Sequence, residues 1–218
     1  MRRLPTTFSA LLFALSCVLL FPPLAPASAA SIVFDDDFTE QGAAGNFSQI
    51  NFTTLANFSI ANGSVDFYTN GGFGLPCPSN GCLDLDGTTG NAARLETAGF
   101  NLTSGLDYTL ALNIAGNQRG GASDSLTFGL ISAGGVLAQT TVTLPINAGF
   151  QSVTVAFSAL GDVVGRIFID HAGGDNFGIL LDRVTLTSSD VTTVPLPAAL
   201  PLLGFGLAGL SLMKRRRR

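Results

Sequence analysis

The residue types in this chain with chemical potential are carboxylates, one histidine and three cysteines. Asp84 and Asp86 stand two apart in Leu83-Asp84-Leu85-Asp86-Gly87. Side chains alternate along a strand, so this spacing predicts both carboxyl groups on one face, ~7 Å apart. Two carboxyl groups ~5 to 10 Å apart across a cleft are what glycoside hydrolysis requires; the same pair can hold a metal or hydrogen-bond sugar hydroxyls. The simpler reading is a polar, solvated face beside Gly87. A second polar loop carries Asp170, His171, Asp175 and Asn176. A Ser-His-Asp system would have to use His171 with Asp170 or Asp175, and no G-x-S-x-G turn supplies a nucleophile. These residues favour binding over catalysis.

The charges are segregated along the chain. The formal net charge is −4, yet Arg2, Arg3, Lys214, Arg215, Arg216, Arg217 and Arg218 are seven of the eleven basic residues. Residues 31–193 hold four arginines against all fifteen acids, a net −11. Such a middle repels phosphates and argues against nucleic acid as a partner. A charged fraction of 12%, about half the usual ~25%, excludes a disordered or coiled-coil chain.

Arg2 and Arg3 precede an apolar run from Phe8 to Phe21, followed by Pro22, Pro23, Pro26 and the small residues Ala27-Ser28-Ala29. This is the order of a secretory signal peptide, assigned to residues 1–30; its ~14 apolar residues fall short of the ~20 needed to span a bilayer. Cys17 leaves with the signal. Cys77 and Cys82 remain, in Cys77-Pro78-Ser79-Asn80-Gly81-Cys82, and an oxidising compartment favours a disulfide across that turn. A zinc site would need further ligands, and the mature domain has one histidine and no other cysteine.

At the other end, Val194 to Met213 are twenty residues without a charge, closed by Lys214 to Arg218. That length crosses ~30 Å of hydrocarbon, and the basic cluster predicts a helix whose C-terminal side stays cytoplasmic. The order of Val194-Pro195-Leu196-Pro197-Ala198, apolar helix and Arg-rich end resembles the PEP-CTERM sorting signals, in a VPLPA form with Leu196 where Glu is usual. The likeness covers residues 194–218. It implies processing by an exosortase in a Gram-negative bacterium that makes extracellular polysaccharide. The chain would be anchored in the inner membrane in transit and then pass to the cell surface or extracellular matrix.

The elements that must position the candidate residues lie in residues 31–190. Short period-two runs recur with turn residues every eight to twelve positions: Ala93 to Glu96, Tyr108 to Ile114, Ser125 to Ile131, Val136 to Leu144, Gln151 to Phe157, Val164 to Ile169 and Phe177 to Thr187. Phe58 to Ile60 and Val65 to Phe67 flank Asn62-Gly63, a two-residue hairpin signal. Phe47, Phe52 and Phe58 are expected to pack between sheets. The expectation is an all-β domain of ten or so strands, a two-sheet β-sandwich of jelly-roll type.

Three strings, Leu83 to Gly87, Ala115-Gly116-Asn117-Gln118-Arg119-Gly120 and Gly173 to Val184, resemble a group of exported PEP-CTERM proteins with a galactose-binding-like, carbohydrate-binding-module-like jelly roll. The resemblance implies a calcium ion shared by an acid near the first strand and an Asp of the last, here Asp37 and Asp182; no other cofactor is expected. The contact candidates are Asp84, Asp86, Asn117, Gln118, Arg119, Asp170, Asp175 and Asn176. The expected function is a non-catalytic adhesive or polysaccharide-associated envelope protein. The alternatives are a secreted glycan-active hydrolase using acidic residues and a purely structural matrix protein.

Overall fold

The computed structural model describes residues 30–42, 49–78 and 81–190. The expected signal peptide, Phe47 and the tail at 194–218 lie outside the described residues. Among the described residues no helix is long and apolar enough to cross a membrane.

The longest strands carry the clearest alternation. In β8 (Leu106–Ala115), Tyr108, Leu110, Leu112 and Ile114 are buried while Thr109 is exposed; in β9 (Asp124–Ser132), Leu126, Phe128 and Leu130 are buried. One buried row per strand is what a sheet with one wet face requires. The remaining strands are β1 (Ser31–Asp36), β2 (Gln49–Phe52), β3 (Phe58–Ala61), β4 (Val65–Tyr68), β5 (Cys82–Asp84), β6 (Arg94–Thr97), β7 (Phe100–Leu102), β10 (Gly135–Leu144), β11 (Gln151–Ser158), β12 (Val163–Ala172) and β13 (Leu180–Asp190).

They form two antiparallel sheets. One has the order β11-β8-β13-β5-β4-β2, with β1 also on β13; the other has β10-β9-β12-β6-β3, with β7 also on β12. The central strand β13 pairs at its start with β5 (Leu180 with Asp84) and along its length with β8, ending at Asp190 opposite Leu106. Buried side chains from both inner faces, among them Phe67, Leu95, Leu112, Phe128, Ile169 and Leu186, form the main core.

The Asn62-Gly63 turn does not close a hairpin. β3 pairs with β6 in one sheet and β4 with β2 and β5 in the other, so the turn carries the chain between layers. Asn62 does take a left-handed conformation (φ 68°), and a Cβ on Gly63 would collide with the carbonyl oxygen of Asn91. The local signal specified the turn, while the pairing was decided by which faces could be buried.

A smaller core lies apart from the main one. Tyr68, Leu75, Cys77, Cys82, Ala115 and Leu180 pack together with Phe150, under the segment that follows β4. The Cys77–Cys82 disulfide is formed, with Cα atoms 5.4 Å apart.

Candidate functional site

The polar residues singled out in the sequence mostly gather where β13 begins, but in a different arrangement from the expected one. β5 ends at Asp84, so Asp86 lies beyond the strand. Neither faces solvent: both have 0% exposure, which corrects the expectation of a solvated face. The cross-strand partner of Asp84 is Asp66 on β4, also fully buried. Like charges directly opposite in a sheet oppose folding, and a set of donors offsets them here.

Asp84 accepts backbone N–H bonds from Asp86 (3.0 Å) and Gly178 (2.8 Å) through Oδ1 and forms an ion pair with Arg119 through Oδ2. Burial pushes its carboxyl up to about 7, against the opposing pull of Arg119. Asp66 accepts from Asn51 N (2.7 Å), Thr88 Oγ1 (2.6 Å) and Tyr68 Oη (3.1 Å). Desolvation and the adjacent Asp66 and Asp84 push the Tyr68 hydroxyl up to about 12.

Asp86 fastens the loop before β13. Its Oδ2 accepts the consecutive N–H groups of Gly174 (2.6 Å), Asp175 (3.1 Å) and Asn176 (3.1 Å), a concave set of amides of the kind that binds anions. The anion held there is the protein's own carboxylate. Gly178 is required beside it, since a Cβ would run into the Asp86 backbone nitrogen and Asp84 Oδ1. Buried Asn117 organises the neighbouring loop, donating to Asp124 Oδ2 (2.9 Å) and the Gly120 carbonyl (2.9 Å) and accepting from Arg119 N (2.9 Å). Gln118 donates to the Ala148 carbonyl (2.6 Å). Asp84, Asp86 and Asn117 are therefore framework, out of direct reach of a ligand.

Beside this framework lies an aromatic group in which Tyr68 is buried, Arg119 and Phe177 are partly exposed and Phe73 is strongly exposed. The Arg119 guanidinium lies 4.6 Å from the ring centroid of Phe177 and 5.5 Å from that of Tyr68. Tyr68 in turn packs edge-on against Phe73, with centroids 5.4 Å apart. Phe73 is 74% exposed and has φ 51°, a conformation costly for a bulky side chain and characteristic of functional loops. Asp175 and Asn176 border this row from the loop that Asp86 holds. Asp66, Tyr68, Phe73 and Phe177 were not assigned to a site from the sequence. The pairing of β4 with β5 was not readable there, whereas Gly71-Gly72-Phe73-Gly74, an aromatic residue set among glycines, was an available signal.

His171 and Asp170 part company, being consecutive on β12 and so on opposite faces. His171 is buried, and its Nε2 accepts the Ile179 N–H (3.2 Å), which places the ring proton on Nδ1. Burial pulls its pKa down, against the nearby Asp86, Asp175 and Asp170. Asp170 lies on the outer face of the other sheet, bonded to Arg94 (2.9 Å), which also binds Glu96 (2.9 Å) and sits 4.8 Å above the Phe168 ring. Arg166 reaches Glu96 at 3.1 Å. The alternation Arg166-x-Phe168-x-Asp170 was the sequence signal for that row.

Two residues along β13 from Leu180, Asp182 is buried, with Oδ2 accepting from Asn113 (2.8 Å) and Oδ1 without a hydrogen-bond partner. Burial, with the charge of Asp37 nearby, raises its pKa. Asp37 itself binds Thr39 through Oδ1, and among the described residues no three His, Cys, Asp or Glu side chains gather as metal ligands.

No protein-family model matches this chain, and no curated protein does. Solved structures that resemble it include the CBM22-1 xylan-binding domain of Paenibacillus barcinonensis Xyn10C, at 12% identity and TM-score 0.44 over 77% of this chain and 100% of that one. The K3 cleaved adhesin domain of Lys-gingipain from Porphyromonas gingivalis W83 matches at 17% identity and TM-score 0.44, over 73% and 99%. The C-terminal CBM6 of LamC from Zobellia galactanivorans matches at 11% identity and TM-score 0.40, over 65% and 98%. The chain's own strand registers define it as an antiparallel two-sheet β-sandwich; likenesses this loose leave the ligand undefined.

Proposed function

We propose that this chain is an exported cell-envelope or matrix protein, sorted by an exosortase through Val194 to Arg218, whose β-sandwich contacts polysaccharide without cleaving it. The observation that carries the reading is the strongly exposed Phe73 ring, backed by buried Tyr68 and flanked by the partly exposed Arg119 and Phe177. Flat apolar rings beside a guanidinium match the alternating C–H faces and hydroxyl edges of a sugar chain, and a ring held rigidly loses little freedom on binding. Retention on immobilised polysaccharide, compared between the exported protein and its Phe73→Ala variant, tests it.

A hydrolytic reading has one observation in its favour, the buried pair Asp66 and Asp84 with Asp84 pushed up to about 7. A raised acid beside a second carboxylate is how glycosidases divide acid and base roles. Both carboxyls are fully buried and already bonded to amides, a hydroxyl or Arg119, so a glycosidic oxygen has no approach to them.

Asp37 and Asp182 fit a calcium ion in this proposal. Asp182 Oδ1 is a buried oxygen without a donor, and two carboxylates with backbone carbonyls and water form the hard-oxygen set that calcium takes. The ion would offset the burial and the Asp37 charge that raise the Asp182 pKa and would fasten β1 to β13.

A further inference from the structure

The large apolar side chains left exposed are not spread evenly. Among the described residues six are strongly exposed: Ile32, Ile50, Phe73, Val136, Leu160 and Val164. Phe73 belongs to the row described above. Four of the other five lie toward the end of the sandwich where β13 finishes.

The registers place them there. Asp190 pairs with Leu106, whose carbonyl accepts the N–H of Ala159 (3.0 Å). Leu160, next in the chain, is 96% exposed. Val164 pairs with Asn101 near the start of β12. Val136 pairs with Ile131 just after the turn joining β9 to β10, and Ile32 pairs with Thr187 near the end of β13. Arg119 and Phe177 sit beyond the other end of this eleven-residue strand, about 33 Å away at ~3.3 Å per residue.

Only residues 191–193 separate Asp190 from the uncharged run beginning at Val194. That link spans at most about 14 Å. A run inserted in a bilayer would therefore hold this end of the sandwich close to the lipid headgroups, where exposed aliphatic side chains are favoured and the opposite end is kept clear.

We infer that the end of the sandwich carrying Ile32, Val136, Leu160 and Val164 is a seat on a zwitterionic lipid surface, so that exposed Phe73, with Arg119 and Phe177 beside it, is presented away from the membrane. This rests on the proposal that Val194 to Met213 is inserted. Zwitterionic lipid is favoured because residues 31–193 carry a net −11. Asp107 and Asp162 also lie at this end, bonded to Ser158 Oγ (2.6 Å) and Ser104 N (2.8 Å), and anionic headgroups would repel them.

The test uses the isotopically labelled full chain in phosphatidylcholine nanodiscs, with and without a lipid bearing a nitroxide on its headgroup. The expected result is loss of amide signal intensity at Ile32, Val136, Leu160 and Val164, with Arg119 and Phe177 unchanged. Incorporated protein with no loss at those four positions, or with equal loss at both ends, would overturn the seat while leaving insertion intact. Protein that does not enter the nanodisc fraction would overturn insertion and the seat together. Attenuation undiminished in phosphatidylglycerol nanodiscs would overturn the choice of zwitterionic lipid.

Discussion

Asp84 and Arg119 show what single residues contribute. A carboxylate with no exposure is tolerated because a guanidinium and two amides surround it, and removing one partner of a buried pair costs far more than the pair is worth. Arg119→Ala is expected to lower unfolding free energy by about 3 to 5 kcal/mol, measured by urea denaturation. Adding Asp84→Asn should recover part of the loss, and a single variant as stable as the parent would contradict the ion pair. His171 gives a pH prediction. Its folded pKa is lowered from 6.5, so the stability it contributes is present above 6.5 and is lost as pH falls through the folded value. Asp84 acts in the opposite sense, its contribution being complete below about 4 and lost as pH rises toward about 7. His171 is the one histidine, so an NMR titration assigns it without ambiguity: a midpoint below 6.5 is expected, and one at or above 6.5 would contradict its burial as a neutral acceptor. The sequence located Asp84, Asp86, Asn117 and Arg119 but not their role. Alternation predicts that i and i+2 share a face, whereas at β5 both faces are covered, one by the main core and the other by the loops around Arg119.

At the scale of elements, the long strands were legible, as were the four-residue β3, β4 and β6, while β2 and β7 were not. β8 to β13 each run for eight residues or more, long enough for period two to stand out. β2, β5 and β7 have three or four residues and owe their conformation to neighbouring strands. The crossing at Asn62-Gly63 has the same cause, since turn chemistry is local and sheet membership is not. The contact between β1 and β13 carries the calcium proposal. Added Ca²⁺ is expected to raise the Tm of the parent protein, by mass action on the folded state, and to leave Asp182→Asn unshifted. An unchanged Tm in the parent, with no metal by elemental analysis, would remove the ion from the account.

The whole molecule divides by charge and by direction. In the sequence the acidic sandwich is flanked by basic, apolar stretches, and its two ends differ as well: exposed aliphatic side chains lie toward the end where β13 finishes, while the aromatic row and the carboxylate framework lie where it begins. The tail reading predicts that surface-exposed molecules lack Arg218 by intact-mass measurement; full-length mass on all of them would contradict sorting. The two-sheet architecture was readable from alternation and turn spacing, whereas the row of Phe73, Tyr68, Arg119 and Phe177 joins three distant segments and appears only once they are folded together. Equilibrium binding of the exported protein to soluble polysaccharides, wild type against Phe73→Ala, tests that row most directly. Loss of one aromatic contact worth ~0.5 to 1.5 kcal/mol should weaken binding about twofold to twelvefold with the polymer uncut. Equal binding by the two proteins, no binding by either, or shortening of the polymer with time would contradict a non-catalytic aromatic contact site.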